Sequence, residues 1–170
     1  MSEIVNKIKQ SKLETVDLEK FVADVTVMEL DLKDFLFQGM ILKEKEFREN
    51  ISNHDWEQYR DSYLAVNCTT DAIIPKWAYM IVASRVQNLA ADVLFGSRED
   101  VMDYILKEHL DQFDWTQYRD KFVLLKGCSK INVSPSVYMH ATKKLLPHVS
   151  KLMYGEACSN VPVYRKQRSA

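Results

Sequence analysis

The chain has 170 residues, of which 46% are hydrophobic, and it carries 23 Lys and Arg residues against 24 Asp and Glu residues, a net charge of -1. This length and composition support a folded core that needs no disulfide or metal, and the balanced charge disfavours nucleic acid and anionic membrane surfaces as partners. No apolar run approaches the ~20 residues that span a bilayer, and the polar N-terminus has no apolar core of a secretory signal, so we expect a cytoplasmic protein outside the membrane.

The N-terminal segment, residues 1–52, is predicted to have mixed structure. Residues 2–12 favour a helix, residues 22–30 alternate in the way a strand does, and residues 43–52 favour a charged, exposed helix. No glycine-rich phosphate-binding pattern occurs in this segment or further along the chain. We therefore expect no nucleotide cofactor.

A sequence repeat follows. DWEQYRD at residues 55–61 recurs as DWTQYRD at residues 114–120, and each copy continues through an apolar run, a cysteine, a proline and a Tyr-Met pair. A short apolar run followed by a turn and a helix is typical of a buried strand that leads into a crossover helix. We therefore predict an internal duplication of a strand-loop-helix unit, in residues 53–96 and 112–150.

Prolines and capping residues predict where the helices begin. Pro75 should open a helix over residues 75–94, and Ser134 should cap a second helix that begins at Pro135. Residues 97–111 predict a linking helix between the two copies, because Ser97 and Asp100 resemble a capping arrangement.

The C-terminal segment, residues 151–170, is predicted to contain Cys158 and a short edge strand around Pro162. With the duplicated units, it favours an α/β (or α+β) fold in a single domain over residues 1–170. The architecture we expect is a small, partly parallel sheet flanked by helices, in which the strands of both copies lie side by side.

The three cysteines predict a metal site. Cys68 and Cys128 each follow the apolar run of one copy, and parallel strands of one sheet end at the same edge, so the two should be neighbours that Cys158 could join. Three thiolates and one further donor suit zinc or iron. Three other side chains are candidates for the fourth ligand: Asp71, Glu156 and His140.

Other interpretations of the same residues stay open. Free cysteines are among the most buried residue types, so the three are also consistent with plain core packing, and Cys68 is also consistent with a reactive thiol. Trp and Tyr in the DWxQYRD segments more often pack against a sheet than form a recognition surface. Trp77, Tyr79 and Tyr138 on the crossover helices should line the core or a pocket.

Longer motifs resemble those of one bacterial family. They are LKDFLFQG at residues 32–39, Cys68 with DAIIPKWAYM at residues 71–80, KGC at residues 126–128 and MYGEACSNVP at residues 153–162. Together they are similar, over nearly the whole chain, to the uncharacterised family known as domain of unknown function 2480. The resemblance implies a bacterial cytosolic protein with a link to iron-sulfur or sulfur metabolism. It carries over five residues without implying what they bind: Cys68, Asp71, Cys128, Glu156 and Cys158.

Two functions from different classes follow. The first is a metal-binding accessory protein in which the three cysteines hold zinc or iron and Asp71 completes or gates the site. The second is a non-catalytic module with buried cysteines that binds a protein partner or a second copy of itself. No recognisable catalytic motif favours an enzyme.

Overall fold

The computed structural model describes residues 13–127 and 131–167, so the helix predicted for residues 2–12 and the predicted ligand Cys128 lie outside the described residues. In chain order the strands are β1 (Leu13–Asp17), β2 (Val27–Asp31), β3 (Tyr63–Asn67), β4 (Asp92–Phe95), β5 (Phe122–Lys126), β6 (Lys151–Glu156) and β7 (Ser159–Arg165). The helices are α1 (Glu44–Asn53), α2 (Lys76–Val86), α3 (Arg98–Gln112) and α4 (Pro135–Leu145). Two small, mostly parallel sheets with these helices confirm the predicted α/β class.

The chain divides into two compact units. The central unit is residues 24–102, and the terminal unit combines residues 1–23 with residues 103–170. Within the described ranges, no helix has the length and apolar character needed to span a bilayer. The expectation of a single domain over residues 1–170 stays a prediction.

The central unit contains a three-stranded parallel sheet in the order β2-β3-β4. The middle strand β3 buries Leu64, Ala65 and Val66 in succession, as expected for a parallel strand that is covered on both faces. The helix predicted over residues 43–52 is confirmed as α1, although it buries Phe47 and Ile51 completely and is not exposed all round. The strand predicted over residues 22–30 begins only at the first residue of β2.

The terminal unit contains a four-stranded sheet in the order β1-β5-β6-β7. The first three strands are parallel, and β7 pairs antiparallel with β6 at the edge. This confirms the predicted edge strand, since an edge position tolerates the missing N–H of Pro162. The linking helix is also confirmed as α3, which Ser97 and Asp100 cap reciprocally through bonds of 2.9 and 3.2 Å.

The expectation that the strands of both copies lie in one sheet is wrong. β3 belongs to the central unit and β5 to the terminal unit, and the two strands lie in different sheets. Each pairs instead with a short strand on either side, namely β2 and β4 around β3, and β1 and β6 around β5. The two units share one order of elements, but the duplication itself stays a prediction.

The helix predicted over residues 75–94 is longer than the helix in the structure, α2. Pro75 is its N-cap, α2 ends at Val86, and β4 follows over Asp92–Phe95. The chain leaves the helix through a turn in which the N–H groups of Leu89 and Ala90 donate to the carbonyl of Val86. Residues 87–91 contain neither glycine nor proline, so no residue in this turn marks the helix end.

The two DWxQYRD segments connect a helix to the strand that follows it. The indole Nε1 of Trp56 donates to the carbonyl of Ile51 at 2.8 Å, and the indole Nε1 of Trp115 donates to the carbonyl of Leu110 at 2.7 Å. Each tryptophan thereby satisfies a carbonyl in the last turns of the preceding helix, which has no intrahelical partner. These contacts agree with packing rather than with an exposed recognition surface.

Candidate functional site

A pocket of about 510 Å³ opens in the central unit where β3 ends, α2 begins and β4 ends. We call it the Cys68 pocket. Open parallel sheets bind ligands at the carboxyl ends of their strands, and ligand sites commonly have volumes of about 300 to 1,000 Å³. The lining residues are Asn67, Cys68, Thr70, Ala72, Ile74, Lys76, Tyr79 and Phe95.

The thiol of Cys68 is half-buried and held by a neighbouring hydroxyl. Its Sγ lies 3.4 Å from Oγ1 of Thr70, and that hydroxyl lies 2.9 Å from the carbonyl oxygen of Gly39. A carbonyl oxygen only accepts, so the single hydroxyl hydrogen of Thr70 is donated to Gly39. The thiol is therefore the donor to Thr70, and its orientation is fixed by the loop around Gly39.

Asp31, at the carboxyl end of β2, holds the loop that carries Cys68. Its Oδ1 accepts the backbone N–H groups of Lys33 at 3.0 Å and Thr69 at 3.1 Å, and its Oδ2 accepts the Thr69 hydroxyl at 2.5 Å. Burial opposes the charged form of Asp31, but the hydrogen bonds from Thr69 and Lys33 outweigh it, and the pKa of Asp31 falls below its ordinary value. The end of β2 is thus tied to the start of the loop that follows β3.

An aromatic pair forms one wall of the Cys68 pocket. The rings of Tyr79 and Phe95 meet edge to face with centroids 5.4 Å apart, and the Phe95 side chain is 76% exposed. Burial raises the pKa of the Tyr79 phenol, and the negative charge that Cys68 carries in its thiolate form raises it further. Tyr79 lines the pocket and also packs against the core. Trp77 packs against the core as well, next to Phe47, with ring centroids 5.8 Å apart.

Two polar side chains line the pocket together with the aromatic pair. Lys76 is the first residue of α2 and is exposed. The amide Nδ2 of Asn67 makes a long bond of 3.4 Å to the carbonyl of Gly96. Both side chains are hydrogen-bond donors, so they can bind an acceptor on a ligand.

Four of the predicted metal ligands, and the further candidate His140, lie among the described residues. Cys68 lies in the pocket of the central unit, Asp71 is exposed in the loop after it, and Cys158 is exposed in the turn between β6 and β7. Glu156 is exposed at the end of β6 and pairs with Lys126 at 3.4 Å. The fourth-ligand candidate His140 is paired with Asp111 at 2.7 Å.

Cys68 and Cys128 would share a sheet edge only if β3 and β5 were in one sheet, but these strands lie in separate sheets. Within residues 13–127 and 131–167, no three His, Cys, Asp or Glu residues form a group that could hold a metal ion. Metal binding by Cys68, Asp71, Cys128, Glu156 and Cys158 stays a prediction.

Three residues of the Cys68 pocket were not predicted as site residues: Asn67, Lys76 and Phe95. Asn67 and Lys76 flank the Cys68 loop, and their positions follow directly once β3 and α2 are predicted there. Phe95 could not be placed, because residues 92–94 were predicted to be the end of a helix, whereas residues 92–95 form a strand. A four-residue apolar strand without a flanking proline resembles a helix end in sequence.

No curated protein and no solved structure matches the chain significantly. One family model, described as "Protein of unknown function (DUF2480)", matches residues 2–166. This match covers nearly all of the chain and confirms the resemblance of its motifs. The chain belongs to the DUF2480 family.

Proposed function

We propose that this protein binds a small organic molecule in the Cys68 pocket. One observation carries the proposal: a thiol, an amide, an ammonium group and an aromatic pair surround about 510 Å³ at the carboxyl end of a parallel sheet. Binding sites for small molecules typically combine apolar and aromatic walls with a few polar groups that fix the ligand's orientation. The Asp31–Thr69 link and the Gly39–Thr70 bond support this assignment, because they hold the loop in place without a ligand.

The chemistry of the lining favours a ligand with a ring and a hydrogen-bond acceptor. Tyr79 and Phe95 offer ring faces and edges, and Ile74 adds an aliphatic surface. Lys76 and Asn67 supply donors, whereas the Thr70 hydroxyl is already engaged by Gly39 and Cys68. A carboxylate or an amide on an aromatic ring matches this arrangement.

Saturation-transfer NMR on the whole chain tests the proposal. The probes are benzoate, phenylacetate and nicotinamide, with acetate as the probe that has no ring. We expect at least one ring-bearing probe to bind with a dissociation constant on the order of 1 mM, as is usual for ligands of this size, and acetate to bind far more weakly.

A pair of variants locates the binding. Phe95→Ala removes one ring of the aromatic pair and should raise the dissociation constant of the probe roughly tenfold. Phe122→Ala removes another partly exposed phenylalanine, at the start of β5 in the terminal unit, and should leave binding unchanged. The proposal is wrong if none of the ring-bearing probes binds, or if both variants weaken binding equally.

The metal-binding alternative needs a separate measurement. Elemental analysis of the protein, purified without a metal-affinity column, should be compared with the Cys68→Ala, Cys128→Ala double variant. About one equivalent of zinc or iron that is lost in the double variant would support a cysteine site. Metal-free protein in both samples would count against it.

The interaction-module alternative gains no support from the DWxQYRD segments. Trp115 is buried, Trp56 is half-buried, and both indole N–H groups bond to helix carbonyls. Aromatic anchors of interfaces are exposed in the free protein, where they can enter a partner's pocket.

A further inference from the structure

A second pocket, of about 470 Å³, lies in the terminal unit between α4 and the strands β6 and β7. We call it the Val163 pocket. It is independent of the Cys68 pocket, with which it shares no lining residue. The lining residues are Leu125, Val133, Pro135, Tyr138, Met139, Thr142, Leu152, Met153, Tyr154 and Val163.

A β-bulge in β7 contains Val163, one of the residues that line this pocket. Leu152 pairs with Tyr164 and Met153 pairs with Pro162, so Val163 is an extra residue in the edge strand. Bulges occur preferentially at sheet edges and next to functional sites, where they redirect a side chain. Here the extra residue is the one member of β7 that lines the pocket.

Two tyrosines form an aromatic pair in this pocket. Tyr138 and Tyr154 meet edge to face with ring centroids 5.5 Å apart, and the Tyr138 hydroxyl lies against Gly127. A Cβ at Gly127 would lie 2.1 Å from the Tyr138 hydroxyl, so only glycine admits this contact. The rings therefore present mainly their carbon surface to the pocket.

The described lining residues include no charged side chain. Met139 and Val163 are more than half exposed, so apolar surface remains in contact with water. Removing such surface from water is favourable in proportion to its area, whereas a charged ligand would lose hydration here without gaining a charged partner among the described lining residues. The pocket thus differs from the Cys68 pocket, whose lining includes Lys76.

We propose that the Val163 pocket is a second binding site, and that it takes a small, uncharged, ring-bearing molecule. The ligand's ring lies against Tyr138 and Tyr154, and its far side contacts Met139 and Val163. The proposal does not depend on a ligand in the Cys68 pocket, since it rests on separate residues of the terminal unit.

Methyl NMR of the whole chain, labelled with ¹³C at the methionine methyl groups, tests the proposal. Met139 and Met153 line the pocket, whereas Met80, on α2 of the central unit, does not and serves as the internal reference. On addition of indole we expect the Met139 and Met153 signals to shift with a dissociation constant on the order of 1 mM, and the Met80 signal to stay in place. Indole-3-acetate, which adds a carboxylate, should bind at least roughly tenfold more weakly.

Two matched variants separate binding in the pocket from adsorption to the strand. Val163→Asp puts a charge into the wall and should weaken indole binding at least roughly tenfold, whereas Val161→Asp, on the same exposed strand but outside the lining, should not. Thr142→Val removes a hydroxyl from the lining, keeps the side-chain size, and should bind indole equally or more tightly.

The proposal is overturned if indole leaves Met139 and Met153 unshifted up to its solubility limit. It is also overturned if indole-3-acetate binds as tightly as indole. The Thr142→Val variant keeps the test decisive even if Val163→Asp does not fold, because a several-fold loss of indole affinity in Thr142→Val would also contradict an apolar site.

Discussion

Asp31 is the residue that joins two separate parts of the central unit. Its carboxylate accepts hydrogen bonds from Lys33, two residues later in the chain, and from Thr69, which is 38 residues away. Hydrogen bonds to an ionised carboxylate are stronger than neutral ones, and here they outweigh the burial that raises its pKa. The carboxylate therefore stabilises the loop of the Cys68 pocket as well as the end of β2.

Replacing Asp31 with Asn should destabilise the protein by about 1 to 3 kcal/mol, because an amide has one accepting oxygen and loses the charge. Denaturant unfolding at neutral pH measures this change. Asp34→Asn, at a nearby exposed carboxylate, is the matched control and should change stability by less than about 0.5 kcal/mol. Equal effects of the two substitutions would contradict the conclusion that the Asp31 carboxylate stabilises this loop.

The half-buried ring of His54 should make the stability of the protein depend on pH. Its ring is half-buried beside Phe35, Trp56 and Tyr59, and its Nε2 lies 2.9 Å from the Tyr59 hydroxyl. Burial lowers the pKa of His54 below its ordinary 6.5, although Asp55 opposes this shift. The unfolded chain then binds the proton more readily than the folded chain does.

The contribution of neutral His54 to the free energy of unfolding should therefore be fully present above about pH 6.5. It should decline as the pH falls towards the lower pKa of the folded state. The free energy of unfolding, measured between pH 7.5 and 5.5, should fall more steeply in the natural sequence than in a His54→Asn variant. A His140→Asn variant, which changes a histidine paired with Asp111 on the protein surface, is the control. Identical slopes for the natural sequence and His54→Asn would contradict the prediction.

At the scale of single elements, the tryptophans of the two DWxQYRD segments end the helices that precede them. Trp115 is 5% exposed, and its bond to the carbonyl of Leu110 is buried. Trp115→Phe keeps the aromatic ring but leaves that carbonyl without its donor, which should cost about 1 to 3 kcal/mol of stability. Urea unfolding measures the loss.

Trp56→Phe provides the comparison within the same chain. Trp56 makes the equivalent bond to Ile51 but is half-buried, so water can replace the lost donor more easily. We expect a smaller loss than for Trp115→Phe. A larger loss for Trp56→Phe would mean that solvent access does not determine the contribution of these bonds.

The elements that could be predicted from the sequence are those with a strong local pattern. β3 and β5 are uninterrupted apolar runs, and α3 and α4 begin with a capping serine or a proline. β4 has only four residues and follows a helix end without glycine or proline, so its pattern is indistinguishable from a continuing helix. Where capping and breaking residues are missing, the boundary depends on tertiary packing.

The candidate site, too, could be predicted from the sequence only in part. The position of Cys68 just after β3 follows from the apolar run and could be predicted. The shared sheet that was expected to place Cys128 beside it was wrong, because β3 and β5 each pair with strands of their own unit. Which strands pair is decided by contacts between residues distant in sequence, such as those between β1 and β5. Phe95 was missed because β4 was predicted as the end of a helix, and the place of Phe95 in the pocket requires β4 beside β3.

At the scale of the whole molecule, each unit has a pocket lined by its crossover helix and its parallel sheet. In the central unit the lining includes a thiol, an amide and an ammonium group, and in the terminal unit it is apolar and aromatic. Both pockets have an edge-to-face aromatic pair that joins the crossover helix to the next strand, Tyr79 with Phe95 and Tyr138 with Tyr154. The linings of the two pockets thus differ in chemistry, and we expect the pockets to select different ligands.

The rate at which iodoacetamide alkylates Cys68 tests the central claim most directly. Cys68 lines the proposed pocket, and Cys158, exposed in the turn between β6 and β7, is an internal reference in the same sample. Peptide mass spectrometry should show that a saturating ring-bearing carboxylate or amide slows alkylation of Cys68 at least about fivefold, because a bound ligand blocks access to the thiol. Alkylation of Cys158 should keep its rate. An unchanged rate at Cys68 with saturating probe, or equal slowing at both cysteines, would contradict ligand binding in the Cys68 pocket.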